Sequence, residues 1–503
     1  METKAQGEGL PPTLLLSHWI GGHPSARFGR NVSRLNPANR TDIVTQLPTA
    51  DGEDIAQAVG DARRCWTDWS LWSPSRRNAV VGRWLQLLLG RVPALSRLVA
   101  RELGQPAHEA AADLHALVET TRLVLAKTRT EAGRVLPSEK PDVRLLWCRR
   151  EHGVVAVIGL PGYGLLDSLR RVAAALAWGN AVIWCPRPEL GATSMLMATL
   201  WKAAGLPQGA LNVLHGVSRC GGVDAALLEP PLESPGTEWC PVGANPCIVL
   251  ADADLMIAVK ATVHAAFSRG GQAPTCCRNV LVDRRVASVF VEQLARAVRA
   301  LRVGSPLRED VDLGAFASEE LMGQFVAQRA MGIEDGAELV VDGRRLAGAL
   351  PSSDSLRSAS LLVTPRLFAG VHVAMRIASR PCLGPTVNVI DVEGPVEAFD
   401  KALAIPPGRC CPLFTRDARA MLTLQRRAPT ATVRVNPTLC VEDDHDVLGP
   451  AWAAEDSEAC TRWQSVELAG ELEQEGEAVE LPPGPQEAPA WLDEILVLHG
   501  PGA

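Results

Sequence analysis

The sequence predicts an α/β protein built on parallel sheets, and three observations predict it. From about residue 154 onward, short apolar runs alternate with stretches of helical periodicity. The runs are apolar at every position rather than at every second one, as strands covered on both faces are. And 503 residues exceed what a single core organises, so more than one domain is expected.

The elements follow in order. After an extended opening, Ile55, Val59, Ala62 and Cys65–Trp66 recur at helical spacing. Three more helices are predicted over Arg76–Leu89, Ala94–Leu103 and Ala107–Ala126, with Gly90 and Pro93 separating the first two and Gly104-Gln-Pro106 ending the second. Trp66, Trp69 and Trp72 are expected to pack between these helices. Next come strand Val154–Ile158, helix Leu165–Ala177, strand Ala181–Cys185, helix Ser194–Ala204 and strand Leu211–His215, a βαβ succession with the character of a doubly wound nucleotide-binding domain. A second α/β region starts near Pro246. Its expected strands are Cys247–Leu250, Val280–Val282, Leu339–Val341, Val387–Ile390 and Thr432–Val435, and its expected helices are Ala253–Phe267, Val286–Leu301, Glu319–Met331 and Val396–Ala404. The expected domains are thus 1–245, nucleotide-binding in type, 246–450, and a terminal segment over 451–503. From Glu467 onward there are nine acidic residues and no Lys or Arg, so most of that segment reads as a solvated, disordered tail.

Composition excludes several functions. Hydrophobic residues make up 47% and charged residues 21%, ordinary globular values. A net charge of -7 gives no electrostatic case for nucleic acid or an anionic membrane. The opening METKAQGEGL has no basic-then-apolar leader and no apolar run approaches a bilayer span, so a cytoplasmic protein without membrane contact is expected. Thirteen cysteines include the adjacent pairs Cys276–Cys277 and Cys410–Cys411 but no C-x-x-C, so neither a zinc site nor a disulfide framework is expected, and most read as small buried hydrophobes. The acidic cluster 442–446 reads as a solvated loop, without the glycine spacing that fixes a cation's ligands, so no metal is expected.

Several collinear blocks resemble the aldehyde dehydrogenase superfamily. They include Asn36-Pro-Ala with Asp54-Ile-Ala-Gln-Ala-Val, Arg150-Glu-His-Gly-Val-Val-Ala-Val-Ile, Ala173–Asn180, Gly205–Val213 and Ile248–Leu255, then Val303–Leu307 with Asp312-Leu-Gly, Met375–Ile377, Leu383–Pro385, Leu413–Asp417 and Thr432–Asn436. Together they run in order from about residue 18 to about residue 450. The resemblance implies a Rossmann-type domain, a catalytic-type α/β domain and a small oligomerisation ribbon. The ribbon would lie at about 140–152, and a strand near Trp463–Leu468 would pair with a neighbour's sheet.

It also implies a chemistry. In this family a Cys after a Gly-Gln pair attacks the aldehyde, an Asn side chain holds the oxyanion, a Glu activates water, and NAD or NADP accepts the hydride. Here Gly271-Gln272 is present, but Pro274 stands at the nucleophile position, Gly162 at the oxyanion Asn and Cys240 at the base. The cofactor Lys position is Cys185, followed by Pro186, and the ribose-contacting Glu position is Pro381; with Gly216 these mark where a dinucleotide would lie. Between Gly216 and Pro246 the chain is short by roughly one strand–helix unit, which in the family carries a helix N-terminus beside the pyrophosphate.

Two readings stay open. In one, the chain is a non-catalytic member that binds NAD or NADP weakly or not at all and acts by assembling with itself or with an active relative. In the other, Cys276 or Cys277 is a displaced nucleophile, because the stretch before Arg278 is one residue short, with Glu238 as base. Against the second stands the plain reading of Cys276 and Cys277 as two buried thiols.

Overall fold

The computed structural model describes residues 13–25, 31–139, 143–159, 165–217, 220–228, 244–273, 275–344, 360–380, 383–406, 410–428, 432–437 and 453–469, with a few isolated positions besides. Pro274, Gly162, Glu238, Cys240, Pro381, the cluster 442–446 and the tail beyond 469 lie outside the described residues.

The four N-terminal helices are Gly52–Trp69, Pro74–Leu89, Val92–Leu103 and Ala107–Thr130. The first is fixed by a capping box. Asp51 accepts from the Glu53 and Asp54 amides at 2.8 and 2.9 Å, and Asp54 accepts from the Asp51 amide at 3.1 Å. Pro93 does not precede the third helix but lies in its first turn, where a missing N–H costs nothing. Trp69 is buried against Trp72 with ring centroids 5.1 Å apart, and the Arg76 guanidinium lies 3.4 Å over the Trp72 ring.

A six-stranded sheet has the order Ala225–Leu228, Val154–Ile158, Ala181–Cys185, Leu211–Val213, Trp19–Ile20, His23–Pro24. Its first four strands are parallel. Side chains alternate between two cores. Val155, Val157, Val182 and Trp184 enter the main core, and Val154, Ala156, Ile158, Ala181, Ile183 and Cys185 enter a second one with Ala58, Val59 and Ala62 of the first helix. Two covered faces are why these runs are continuously apolar. The strand Ala225–Leu228 corrects the expected loss of a whole strand–helix unit: the strand is present, paired in parallel with Val154–Ile158. Its approach through Gly221 and Gly222 hides it from a pattern reading.

A seven-stranded sheet has the order Glu338–Val341, Arg366–Ala369, Thr386–Val392, Asn279–Asp283, Cys247–Val249, Cys410–Phe414, Thr432–Val435, with only the first strand antiparallel to its neighbour. Arg366–Ala369 and Cys410–Phe414 escape the sequence reading, because a buried arginine and a proline interrupt their apolar character. A helical segment over 453–459 then docks on the six-stranded half of the molecule. Arg170, 1% exposed, pairs with the wholly buried Asp456 at 2.9 Å, and the Asn180 amide donates to the Cys460 carbonyl at 2.9 Å. A charge this dry is tolerated only when paired, and Arg171 Nε lies 3.8 Å from Asp456 as well.

The chain divides into two compact units, one of 133–148 with 463–503 and one of the rest. In the smaller unit Gly133–Leu136 pairs antiparallel with the strand Val143–Glu151, in register Gly133 with Cys148 and Leu136 with Leu145. The ribbon therefore begins earlier than the expected 140–152. The strand Thr461–Ala469 belongs to this same three-stranded sheet, beside Val143–Glu151. It is an edge strand of that sheet. Trp147 and Trp463 stack with centroids 5.2 Å apart.

His215, two residues past the strand Leu211–Val213, stacks on His18 at 5.8 Å, with His18 Nε2 at 3.7 Å from Asp54. Burial, aided by the neighbouring His18, pulls the His215 pKa down to about 3, and burial lowers that of His18 as well. The folded state thus holds His215 neutral where the unfolded chain takes up a proton below its ordinary 6.5. Stability falls as pH drops from 6.5 toward 3, by on the order of 4 kcal/mol for this residue when fully developed. Urea denaturation at pH 7.5 and pH 5 should show the loss, and His215→Leu should flatten the slope.

Candidate functional site

The segment around the expected nucleophile is built by the turn at the end of the helix Leu255–Phe267. Arg269, Gly270 and Gly271 all have positive φ, of 53°, 62° and 64°. For Arg269 this conformation is strained. It is held by the helix Ala107–Thr130: both Glu109 oxygens accept from the Arg269 amide at 2.9 Å, and Asp113 accepts from its Nε at 3.0 Å. Gly271 admits no side chain, since a Cβ there would lie 2.2 Å from the Gly384 carbonyl oxygen.

Gln272 is a clamp rather than a free polar group. Its Nε2 donates to the Ala315 carbonyl at 3.2 Å and its Oε1 accepts from the Ala317 amide at 2.9 Å. Beneath the loop lies Arg278, 1% exposed. Its guanidinium donates to the carbonyls of Gly271 at 2.5 Å, Gly384 at 3.0 Å and Ala273 at 3.1 Å. Asn245 completes the frame from the other side, donating to the Cys276 carbonyl at 3.1 Å.

The thiols inside this frame point inward. Cys276 is 4% exposed with its sulfur 3.6 Å from the Ser268 carbonyl oxygen, and Cys277 is 1% exposed with its sulfur 3.6 Å from the carbonyl of Asn279. Their main-chain amides donate to Ala273 and Ala265. Asn245 and Glu109 are absent from the sequence reading, and Arg278 enters it only as a landmark. The available signal for Arg278 is a charged residue directly before the strand 279–283, which when buried has to find carbonyl partners.

The expected cofactor residues sit on the other large sheet, at the carboxyl ends of its strands. Cys185 is wholly buried at the end of Ala181–Cys185, in an apolar cluster against which Cys220 packs. Pro186 is buried beside it. Gly159 packs against the next turn, where a Cβ would lie 3.0 Å from the Arg187 amide nitrogen. Gly216 has φ 75° and abuts Thr49. The following helix, Gly191–Ala203, has its N-terminus occupied from within: Glu102, 3% exposed, accepts from the Ala192 and Thr193 amides at 2.7 and 3.1 Å. Burial raises the Glu102 pKa to about 7 against these bonds.

The family model for the aldehyde dehydrogenase family matches residues 24–227 and 242–449, the greater part of the chain. The chain belongs to the aldehyde dehydrogenase family. The break in the match, 228–241, coincides with the shortened stretch after the strand Ala225–Leu228. Among curated relatives, an alpha-ketoglutaric semialdehyde dehydrogenase of Bacillus subtilis is 26% identical over 82% of this chain and 87% of its own length. A malonate-semialdehyde dehydrogenase of Pseudomonas aeruginosa is 28% identical over 85% and 88%. Among solved structures, the lactaldehyde dehydrogenase of Escherichia coli superposes with a TM-score of 0.79 at 20% identity, over 91% of this chain and all of that one. An NAD-dependent aldehyde dehydrogenase of Sinorhizobium meliloti gives 0.79 at 22% identity, over 90% and 95%. The fold is that of the family. No helix among the described residues is long and apolar enough to cross a membrane, and those residues hold no cluster of metal-ligating side chains.

The loop's hydrogen bonds set an order of thiol reactivity. Alkylation of the native protein with iodoacetamide, followed by peptide mapping, should modify the half-buried Cys148 and Cys220 first and leave Cys276 and Cys277 intact until denaturant is added.

Proposed function

We propose that this aldehyde dehydrogenase family member does not oxidise aldehydes and acts instead through assembly, as a homo-oligomer or together with an active relative. The observation that carries the reading is the inward orientation of Cys276 and Cys277, the only thiols close in sequence to the nucleophile position, each buried against a carbonyl oxygen. Pro274 at that position has no nucleophilic atom, and Gly162 supplies no amide to an oxyanion. Losing one oxyanion donor costs about a hundred- to a thousand-fold in rate, and losing the nucleophile removes the covalent route.

The same reading extends to the cofactor. NAD or NADP would lie along the strand ends that carry Cys185, Pro186 and Gly216. A buried thiol where the family has a Lys, and Pro381 where it has a Glu, do not fit a dinucleotide's ribose. Removing one charge-assisted hydrogen bond costs about 1.5–3 kcal/mol, so removing two weakens binding about a hundred-fold or more. We place the boundary between the nucleotide-type and catalytic-type halves near residue 245, and the protein in the cytoplasm.

The names of the relatives favour a second reading, an active NAD(P)-dependent enzyme that converts an aldehyde to a carboxylic acid. It requires Cys276 or Cys277 to turn outward and Glu238 to serve as base. A spectrophotometric assay with malonate semialdehyde and NAD or NADP separates the two. The first reading predicts no cofactor reduction above a heat-killed control; reduction that disappears in Cys276→Ala or Cys277→Ala establishes the second.

Assembly has its own support in the ribbon. Leu136 and Trp147 share one face of the ribbon at 37% and 38% exposed, and Val135 on the other face is 68% exposed. Light scattering at micromolar concentration should give a dimer or larger species that Trp147→Glu dissociates. A monodisperse monomer unaffected by that change rules out the ribbon as an interface.

A further inference from the structure

We propose that a pocket between the helices Ala107–Thr130 and Leu255–Phe267 binds a small monocarboxylate with an apolar body. Its volume is about 430 Å³, within the range of small-molecule sites. Helical spacing builds its walls. Lys260, Val263, His264 and Phe267 fall on one stripe of the helix Leu255–Phe267 and line the pocket. His108, Glu109 and Ala112 line it from the start of Ala107–Thr130. Leu301 and Leu313 add further apolar surface, against which an organic body can leave water.

The charges in the lining select the head group. Lys260 is the one Lys, Arg, Asp or Glu of the helix Leu255–Phe267, and it lies on the pocket stripe. Neither Lys260 nor His108 hydrogen-bonds to another group among the described residues. The two carboxylates of the lining, by contrast, are engaged. Both Glu109 oxygens accept from the Arg269 amide at 2.9 Å. Asp312 accepts from the Arg302 amide at 2.8 Å and from its Nε at 3.2 Å. The pocket therefore offers an ammonium without a protein acceptor. A single negative charge answers it, whereas a phosphate dianion would also meet repulsion from Glu109 and Asp312.

A second cavity, of about 300 Å³, lacks this imbalance. It lies at the carboxyl ends of the seven-stranded sheet, and its charged groups are satisfied within the protein. Asp252 accepts from the Thr415 hydroxyl and the Arg416 amide, both at 2.8 Å. Asp283 accepts from Arg285 Nε at 2.9 Å, and Asp417 accepts from the Arg419 amide at 2.8 Å.

Two residues of the first pocket also hold the turn that follows the helix Leu255–Phe267. Glu109 fixes the Arg269 amide. Ser268 donates its hydroxyl to the His264 carbonyl at 2.7 Å, and its own carbonyl faces the Cys276 sulfur at 3.6 Å. A bound carboxylate thus stiffens the turn beside Cys276, whether or not the chain oxidises aldehydes.

The test uses the full chain and octanoate as probe. Calorimetry should show saturable binding of one octanoate per chain, and octanoate should raise the melting temperature. Octanol and octylamine, which share the alkyl body, should bind about ten- to a hundred-fold more weakly, the effect of losing one charge-assisted hydrogen bond. Lys260→Glu, at an exposed position, should lose octanoate affinity by at least the same factor and abolish the melting shift. If that variant does not fold, Lys260→Gln carries the test with the same expected loss. A diazirine analogue of octanoate should label residues 107–113 or 255–268, and octanoate should compete with it. Unsaturable binding, equal affinity for octanol, unchanged affinity in the Lys260 variants, or labelling elsewhere overturns the proposal.

Discussion

The buried guanidinium of Arg278 sets the shape of everything around the nucleophile position. Taking a permanent charge out of water is costly unless its donors are satisfied. Arg278 places its two terminal nitrogens on the carbonyls of Gly271, Ala273 and Gly384. These carbonyls belong to the turn after the helix Leu255–Phe267 and to the segment entering the strand Thr386–Val392. One side chain therefore joins two loops, and the Gly384 amide reinforces the joint by donating to the Gly271 carbonyl at 2.8 Å. With the loop pinned on both sides of Pro274, the residues that follow return directly into the strand Asn279–Asp283. Cys276 and Cys277 take the inward direction that this short return leaves them.

The pinned loop leans in turn on the N-terminal helices. Arg269 sits in a left-handed conformation because Glu109 and Asp113, one turn apart on the helix Ala107–Thr130, hold its backbone and side chain. Asp113 is also bonded by Gln105 at 2.9 Å, just before that helix begins. The turn around Gly271 and Gln272 is thus held, down to its strained residue, by side chains of an N-terminal helix. Strain of this kind is usually kept where a site needs it. Here it positions a turn followed by two thiols buried against carbonyl oxygens.

How far the sequence discloses this depends on the physics of each part. Strands such as Val154–Ile158 and Ala181–Cys185 are legible because burial on both faces demands apolar residues at every position. Arg366–Ala369 is not, because its arginine is satisfied by the Phe325 and Gly343 carbonyls, partners far away in the chain. The strand Ala225–Leu228 is masked by the glycines before it. In the candidate site, Pro274 and Gly162 are legible as the residues standing where the family resemblance implies a Cys and an Asn. The direction of Cys276 and Cys277 is not legible, because it depends on Arg278, Asn245 and Ser268 meeting in space.

The central claim, that no competent nucleophile remains, is tested most directly without any cofactor. An activated ester such as p-nitrophenyl acetate acylates a reactive active-site thiol, and intact-mass spectrometry after rapid mixing counts the acyl groups. The account predicts no adduct on Cys276 or Cys277 of the native chain. A stoichiometric acyl group mapped to either residue, formed faster than on Cys148 or Cys220, would contradict it.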